Sequence, residues 1–85
     1  MTSNYGYALG DQAVLAFTSL PLRQREALLR AFDRLVRQPG QTGDFREPGT
    51  GGRSYEVKLI DELLVTWWTD HAAREVRIVR IEPAE

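Results

Sequence analysis

Residues 54–82, SYEVKLIDELLVTWWTDHAAREVRIVRIE, decide the fold. SYEVKLI alternates, with Tyr55, Val57 and Leu59 on one face and Glu56 and Lys58 on the other. That period of two marks a strand covered on one side. Asp61-Glu62 fits a tight turn. The next segment, ELLVTWWT, is apolar on both faces: Leu63, Val65 and Trp67 against Leu64, Thr66 and Trp68. A strand apolar on both sides belongs in the middle of its sheet. TDHAAR turns the chain again, and EVRIVRIE closes an antiparallel three-strand meander. In this last strand Val76 and Ile78 share one face while Arg77, Val79 and Ile81 share the other, an alternation that leaves its facing open.

Upstream, Tyr5 to Leu9 reads as a short strand, YGYAL, broken by Gly10 and Asp11. Asp11 is suited to cap a first helix beginning QAVLAF, which stops near Ser19 because Pro21 disfavours a helical residue before it. A second helix starts with Pro21 in its first turn, where a missing amide costs nothing. Leu28, Leu29, Phe32, Leu35 and Val36 recur along it at helical spacing as one apolar stripe. Glu26 with Arg30, and Asp33 with Arg37, stand four apart as candidate ion pairs. The short SLPL connection makes the two helices an antiparallel hairpin. Residues 39–52, PGQTGDFREPGTGG, hold five glycines and two prolines and read as a mobile loop. Its glycines have neither the GxGxxG nor the GxxxxGK[ST] phosphate-binding spacing. The expected class is α+β: a short N-terminal strand, an α-helical hairpin, then an antiparallel three-strand meander in a single domain spanning residues 1–85. Both helices cover one face of the sheet, leaving the other open or covered by something else.

Composition narrows the chemistry. There is no cysteine, hence no disulfide and no thiolate metal site, and the single histidine argues against a protein zinc centre. No metal or cofactor is expected. The N-terminus lacks a basic and apolar leader, and no apolar run approaches the roughly 20 residues that span a bilayer, so a cytoplasmic protein without membrane contact is expected. Ten of the eleven basic residues are arginine, with Lys58 the one lysine, yet the net charge is −1. Arginine suits planar, bidentate contact with phosphate or carboxylate, while a near-neutral total gives no global pull toward nucleic acid.

The element order, together with the helix ending in RLVRQPGQTGDF, the loop closing at GR, the strand SYEVKLI and the immediate hairpin strand ELLVTWW, resembles the RelE/ParE superfamily of bacterial toxin–antitoxin toxins over about residues 4–81. The resemblance implies a small antitoxin partner that wraps the toxin. RelE-like members are implied to cut translated mRNA in the ribosome, using basic residues on the open sheet face. ParE-like members are implied to poison DNA gyrase without that set. By this resemblance Lys58 matches a basic position at the end of the first meander strand, on the face away from the helices. Glu56 stands at a neighbouring position that is often basic. Leu64 or Thr66 stands where the next strand often carries a catalytic arginine, and the histidine- and tyrosine-bearing ending is absent.

Metal-free RNA cleavage needs a base for the 2′-hydroxyl, a cation for the crowded phosphate and an acid for the leaving oxygen. His71 is the one side chain whose ordinary pKa lies near neutrality. The candidate catalytic residues are therefore Lys58, His71 and Arg77. Arg53, Trp68 and Arg80 are candidate RNA contacts, Trp68 by stacking a base. Each also has a plain structural reading: His71 a solvated turn residue, Trp68 a packing residue, Lys58 a cross-strand partner of an acid. Strict alternation puts Arg77 and Arg80 on opposite faces, so at most one joins Lys58. The competing functions are a translation-directed toxin, a gyrase-directed toxin without catalysis, and a non-toxic interaction module.

Overall fold

The computed structural model describes residues 4–85. In chain order the elements are β1 (Gly6–Leu9), α1 (Asp11–Thr18), α2 (Leu22–Arg37), β2 (Phe45–Pro48), a 3₁₀ turn (Thr50–Gly52), β3 (Ser54–Ile60), β4 (Leu63–Asp70) and β5 (Glu75–Pro83). They form one sheet in the order β1-β5-β4-β3-β2. β1 runs parallel to β5, and every other pairing is antiparallel. The apolar-on-both-faces strand β4 is central, as its composition requires. Asp61 and Glu62 make the β3–β4 turn with φ of 49° and 68°, the left-handed pair that a two-residue hairpin demands.

Leu28, Ala31, Phe32 and Leu35 of α2 are buried, whereas Leu29 is exposed, so the stripe is narrower than its five-residue reading. Asp33 and Arg37 do pair, at 2.8 Å. Glu26 and Arg30 form no ion pair among the described residues. Asp11 is the first residue of α1 and Gly10 its cap. An acid in that first turn still complements the helix dipole. The core gathers Ala13, Leu28, Phe32 and Leu35 from the helices over Leu63, Val65, Trp67, Val76, Ile78 and Ile81 of the sheet. Large side chains such as Trp67 and Phe32, at 1% and 0% exposure, dominate it. Each contributes on the order of 1.5–3 kcal/mol by leaving water.

Three features depart from the sequence reading. First, the 39–52 segment is not one loop. Phe45–Pro48 adds an edge strand to β3. Asp44 accepts the Leu59 amide on its carboxylate at 2.9 Å and donates its own amide to the Val57 carbonyl at 2.8 Å. The Gly43 amide donates to Glu56 at 2.8 Å. Gly43 lies so close to Val57 that a Cβ would overlap its backbone, which explains the glycine there. FREP escapes pattern reading because a four-residue edge strand with a proline needs no apolar alternation.

Second, the facing of β3 is reversed. Lys58 pairs with Val65 and Glu56 with Trp67, which puts both on the helix side of the sheet. Val57 pairs with Thr66, so Tyr55, Val57 and Leu59 lie on the side away from the helices. The alternation was legible, but it does not say which side is covered. Tyr55 is buried by the 45–53 segment, its ring lying against Gly49.

Third, β5 carries a bulge. Thr66 pairs with Arg80 but Trp67 pairs with Ile78, leaving Val79 as the extra residue. One inserted residue flips the phase of a strand. Ile78 and Ile81 therefore both enter the core, and Arg77 and Arg80 both point to the open face. The bulge sits where β1 ends. Gly10 donates its amide to the Ile78 carbonyl at 2.9 Å, the chain then turns into α1, and Gln12 takes over. Its carboxamide accepts the Ile81 amide and donates to the Ile81 carbonyl, both at 2.9 Å. One side chain thus replaces one residue of a missing strand.

Candidate functional site

The open face gathers four of the six candidate residues. Trp68, opposite Arg77 in the β4–β5 ladder, is half-buried and presents its indole away from the helices. The guanidinium of Arg53 lies 3.9 Å from the ring centroid of Trp68, and that of Arg77 lies 5.6 Å from it. Arg53 leads from the 3₁₀ turn into β3. Trp68 and Arg77 also line an open groove of about 360 Å³ with Ala8 and Gly10 at the end of β1.

These arginines are already engaged. Arg77 meets Glu75 at 3.2 Å and Asp70 at 3.6 Å. Arg80 bridges Glu47 and Glu82 and lies 3.4 Å from the Thr66 hydroxyl. The hydrogen bond to Glu47, then that to Glu82, raises the pKa of Arg80. Three guanidinium groups thus share the face with four carboxylates, so it offers directed donors without net positive charge.

Tyr55 belongs to the same face and was not a candidate from sequence. Its hydroxyl lies 3.2 Å from the Thr50 hydroxyl and accepts the Thr50 amide at 3.5 Å. The pKa of Tyr55 is lowered by the Thr50 side chain first, then its backbone, with Arg53 and Arg80 adding electrostatic support. Its apolar neighbours in SYEVKLI hid it, because the alternation made Tyr55 read as a core residue. Glu47 was missed with the strand that carries it.

Lys58 does not join this group. It faces α2, beside Ala31, Arg34, Leu35, Gln41 and Trp67. His71 sits in the β4–β5 turn, exposed, with Nδ1 2.7 Å from the Tyr5 hydroxyl and the two rings edge to face at 5.7 Å. Asp70 beside it accepts the Ala73 amide at 3.1 Å, the side-chain turn its residue type suggested. His71 and Trp68 border a common groove of about 200 Å³ with Arg46 and Ser54. Among the described residues no cluster of histidine, aspartate or glutamate could hold a metal ion.

Chemically, the arrangement offers an indole already stacked with guanidinium groups, donors able to exchange carboxylate for phosphate, a perturbed phenol, and an imidazole at the rim.

Solved structures share this architecture. The chain aligns over 99% of its length, and 97% of the other chain, with the archaeal RelE–RelB complex from Pyrococcus horikoshii OT3, at TM-score 0.76 and 22% identity. The toxin–antitoxin complex RelBE2 from Mycobacterium tuberculosis matches at TM-score 0.71 and 19% identity, covering 100% and 97% of the two chains. The intact E. coli RelBE complex matches at 0.66 and 12%, covering 95% and 98%. No protein-family model and no curated protein matches the sequence. The fold is therefore RelE-like, the class that the strand, helical hairpin and meander define.

Proposed function

We propose that this chain is the toxin of a two-component toxin–antitoxin pair and that it acts in the cytoplasm on translated mRNA through its open sheet face. The observation that carries the reading is the stack of Arg53 on Trp68 with Arg77 alongside. Cationic guanidinium on an aromatic ring is a surface on which a base can stack while a phosphate meets the same arginine. The RelE chains of similar fold were solved with RelB antitoxins, and we assign this chain a small protein partner of the same kind.

In this reading Arg77 and Arg80 trade carboxylate partners for phosphate oxygens when RNA arrives. Arg77 stabilises the charge that builds on the non-bridging phosphoryl oxygens as the 2′-oxygen attacks. The P–O5′ bond breaks, leaving a cyclic phosphate and a free 5′-hydroxyl. His71, at the rim beside Trp68, takes the 2′-hydroxyl proton and returns it to the leaving O5′. Lys58 has no part in this chemistry, because it lies across the sheet.

A second reading, a gyrase-directed toxin that binds without cleaving, is favoured by the carboxylates that already occupy Arg77 and Arg80. Inducing the gene in a bacterial host and mapping new mRNA 5′ ends separates the two. New ends in codon register within translated frames are expected. Growth arrest without new ends would point to the second reading, and no arrest with folded protein present would point to a non-toxic module.

A further inference from the structure

Arg30, Arg34 and Lys58 lie on the opposite side of the sheet from the arginines just described. Arg23, Ala27, Arg30 and Arg34 recur on α2 at intervals of four, three and four, which places them on one helix stripe. With Ile60 and Asp61 of β3 they line a groove of about 450 Å³. Lys58 extends it past Arg34. Arg23 leans toward Asp61 at 3.4 Å with its side chain 78% exposed. Arg30, Arg34 and Lys58 make no ion pair among the described residues, and the acids of α2, Glu26 and Asp33, do not line the groove. This is the reverse of the open face, where carboxylates outnumber guanidinium groups.

We propose that the groove between α2 and β3 is the docking site for an acidic helical segment of a protein partner. Charge complementarity argues for the occupant: four cations face one carboxylate along the stripe. From Arg23 to Arg34 the helix rises about 17 Å, three turns, so carboxylates at intervals of seven and four on a second helix meet Arg23, Arg30 and Arg34 in register. The floor argues for protein over nucleic acid. Ala27 and Ile60 offer apolar contact for a helix, and the ring bordering the Lys58 end, Trp67, is buried in the core and offers no face to stack a base. The proposal rests on the toxin–antitoxin reading for who the partner is, not for the chemistry of the groove.

The probe is a dye-labelled peptide of about 12 residues, carrying glutamates at intervals of seven and four on an alanine-rich helix. It is titrated onto the full chain by fluorescence anisotropy. Wild-type protein is expected to bind. The double variant Arg30→Gln/Arg34→Gln is expected to bind about tenfold more weakly, from two lost exposed ion pairs. Glutamine keeps helix propensity, and circular dichroism confirms that the variant is folded. Binding is expected to weaken as salt shortens the screening length and to be unchanged by Trp68→Ala.

No binding by the wild type, or equal binding by the glutamine variant, overturns the proposal. So does displacement of the peptide by single-stranded RNA that shows the same dependence on Arg30 and Arg34, since the groove would then be a nucleic-acid site. Toxicity is read separately by growth arrest. A non-toxic protein that binds the peptide keeps the groove and loses the toxin, and a toxic protein that ignores the peptide does the opposite.

Discussion

Gln12 holds the bulge that gives the open face its arginines, and Gln12→Ala should expose that dependence. The substitution removes two part-buried hydrogen bonds, both to the backbone of Ile81. A net contribution of about 0.5–1.5 kcal/mol per bond gives a loss of about 1–3 kcal/mol. At about 2.1 cal/mol/K of unfolding entropy per residue, an 85-residue chain loses roughly 5–6 °C per kcal/mol, so Tm should fall by about 5–15 °C. Thermal unfolding by circular dichroism measures the shift. Amide hydrogen exchange locates it, because the Ile81 amide should lose protection while Val65, in the central strand, keeps its own relative to global stability. Gln12→Glu separates acceptor from donor. The carboxylate still accepts from the Ile81 amide but faces the Ile81 carbonyl without a proton. The new carboxyl's folded pKa is therefore raised above its unfolded value near 4.3. The variant's stability is accordingly fullest below that unfolded value and is lost as pH rises through the folded one. A Tm for Gln12→Ala within a degree or two of wild type, with Ile81 still protected, would refute the clamp.

Four further outcomes follow from the structure. Trp68→Ala should abolish the appearance of new mRNA ends with little loss of stability, whereas Lys58→Ala should leave them unchanged; the pair is read in the same induction experiment. Gly43→Ala should destabilise the protein by about 1–3 kcal/mol, because β2 must move off Val57, and urea unfolding measures it. Glu62→Gly should stabilise by about 1 kcal/mol by relieving a left-handed glutamate in the β3–β4 turn, seen as a Tm several degrees higher. Tyr55 should ionise below the ordinary tyrosine range in a spectroscopic alkaline titration. Since its folded pKa is depressed, its contribution to stability grows as pH rises toward 10 and is lost as pH falls through the folded value. Thr50→Ala should move that titration back up.

The sequence carried the helices, the meander and the central place of β4, because each rests on a period strong enough to read locally. It did not carry the side on which each face ends up. Tyr55, Val57 and Leu59 alternate as core residues do, yet they lie away from the helices, where the 45–53 segment covers Tyr55 and Val57 and leaves Leu59 exposed. That cover depends on an edge strand with no apolar pattern of its own. The bulge at Val79 had a faint trace in EVRIVRIE, where Val76, Ile78 and Ile81 cannot share a face under strict alternation. Taking Ile81 with the other two would have required one extra residue between them and brought Arg77 and Arg80 together. Of the candidate residues, Arg53, Trp68, Arg77 and Arg80 meet on one face, His71 stands at its rim, and Lys58 lies behind the sheet. The carboxylates that occupy the arginines come from β2, β4 and β5. Their pairing with Arg77 and Arg80 depends on sheet register, which neighbouring residues in the sequence do not reveal.

The proposed binding of RNA at Trp68 on the open face has a direct spectroscopic test. The two indole N–H resonances provide the test, since Trp67 is 1% exposed in the core and Trp68 stands beside two guanidinium groups. A short single-stranded oligoribonucleotide titrated into ¹⁵N-labelled protein should shift the Trp68 indole and the side-chain signals of Arg53 and Arg77. Trp67 and the amides of α2 should hold still. An unmoved Trp68 indole, or shifts confined to α2 and Lys58, would contradict the account.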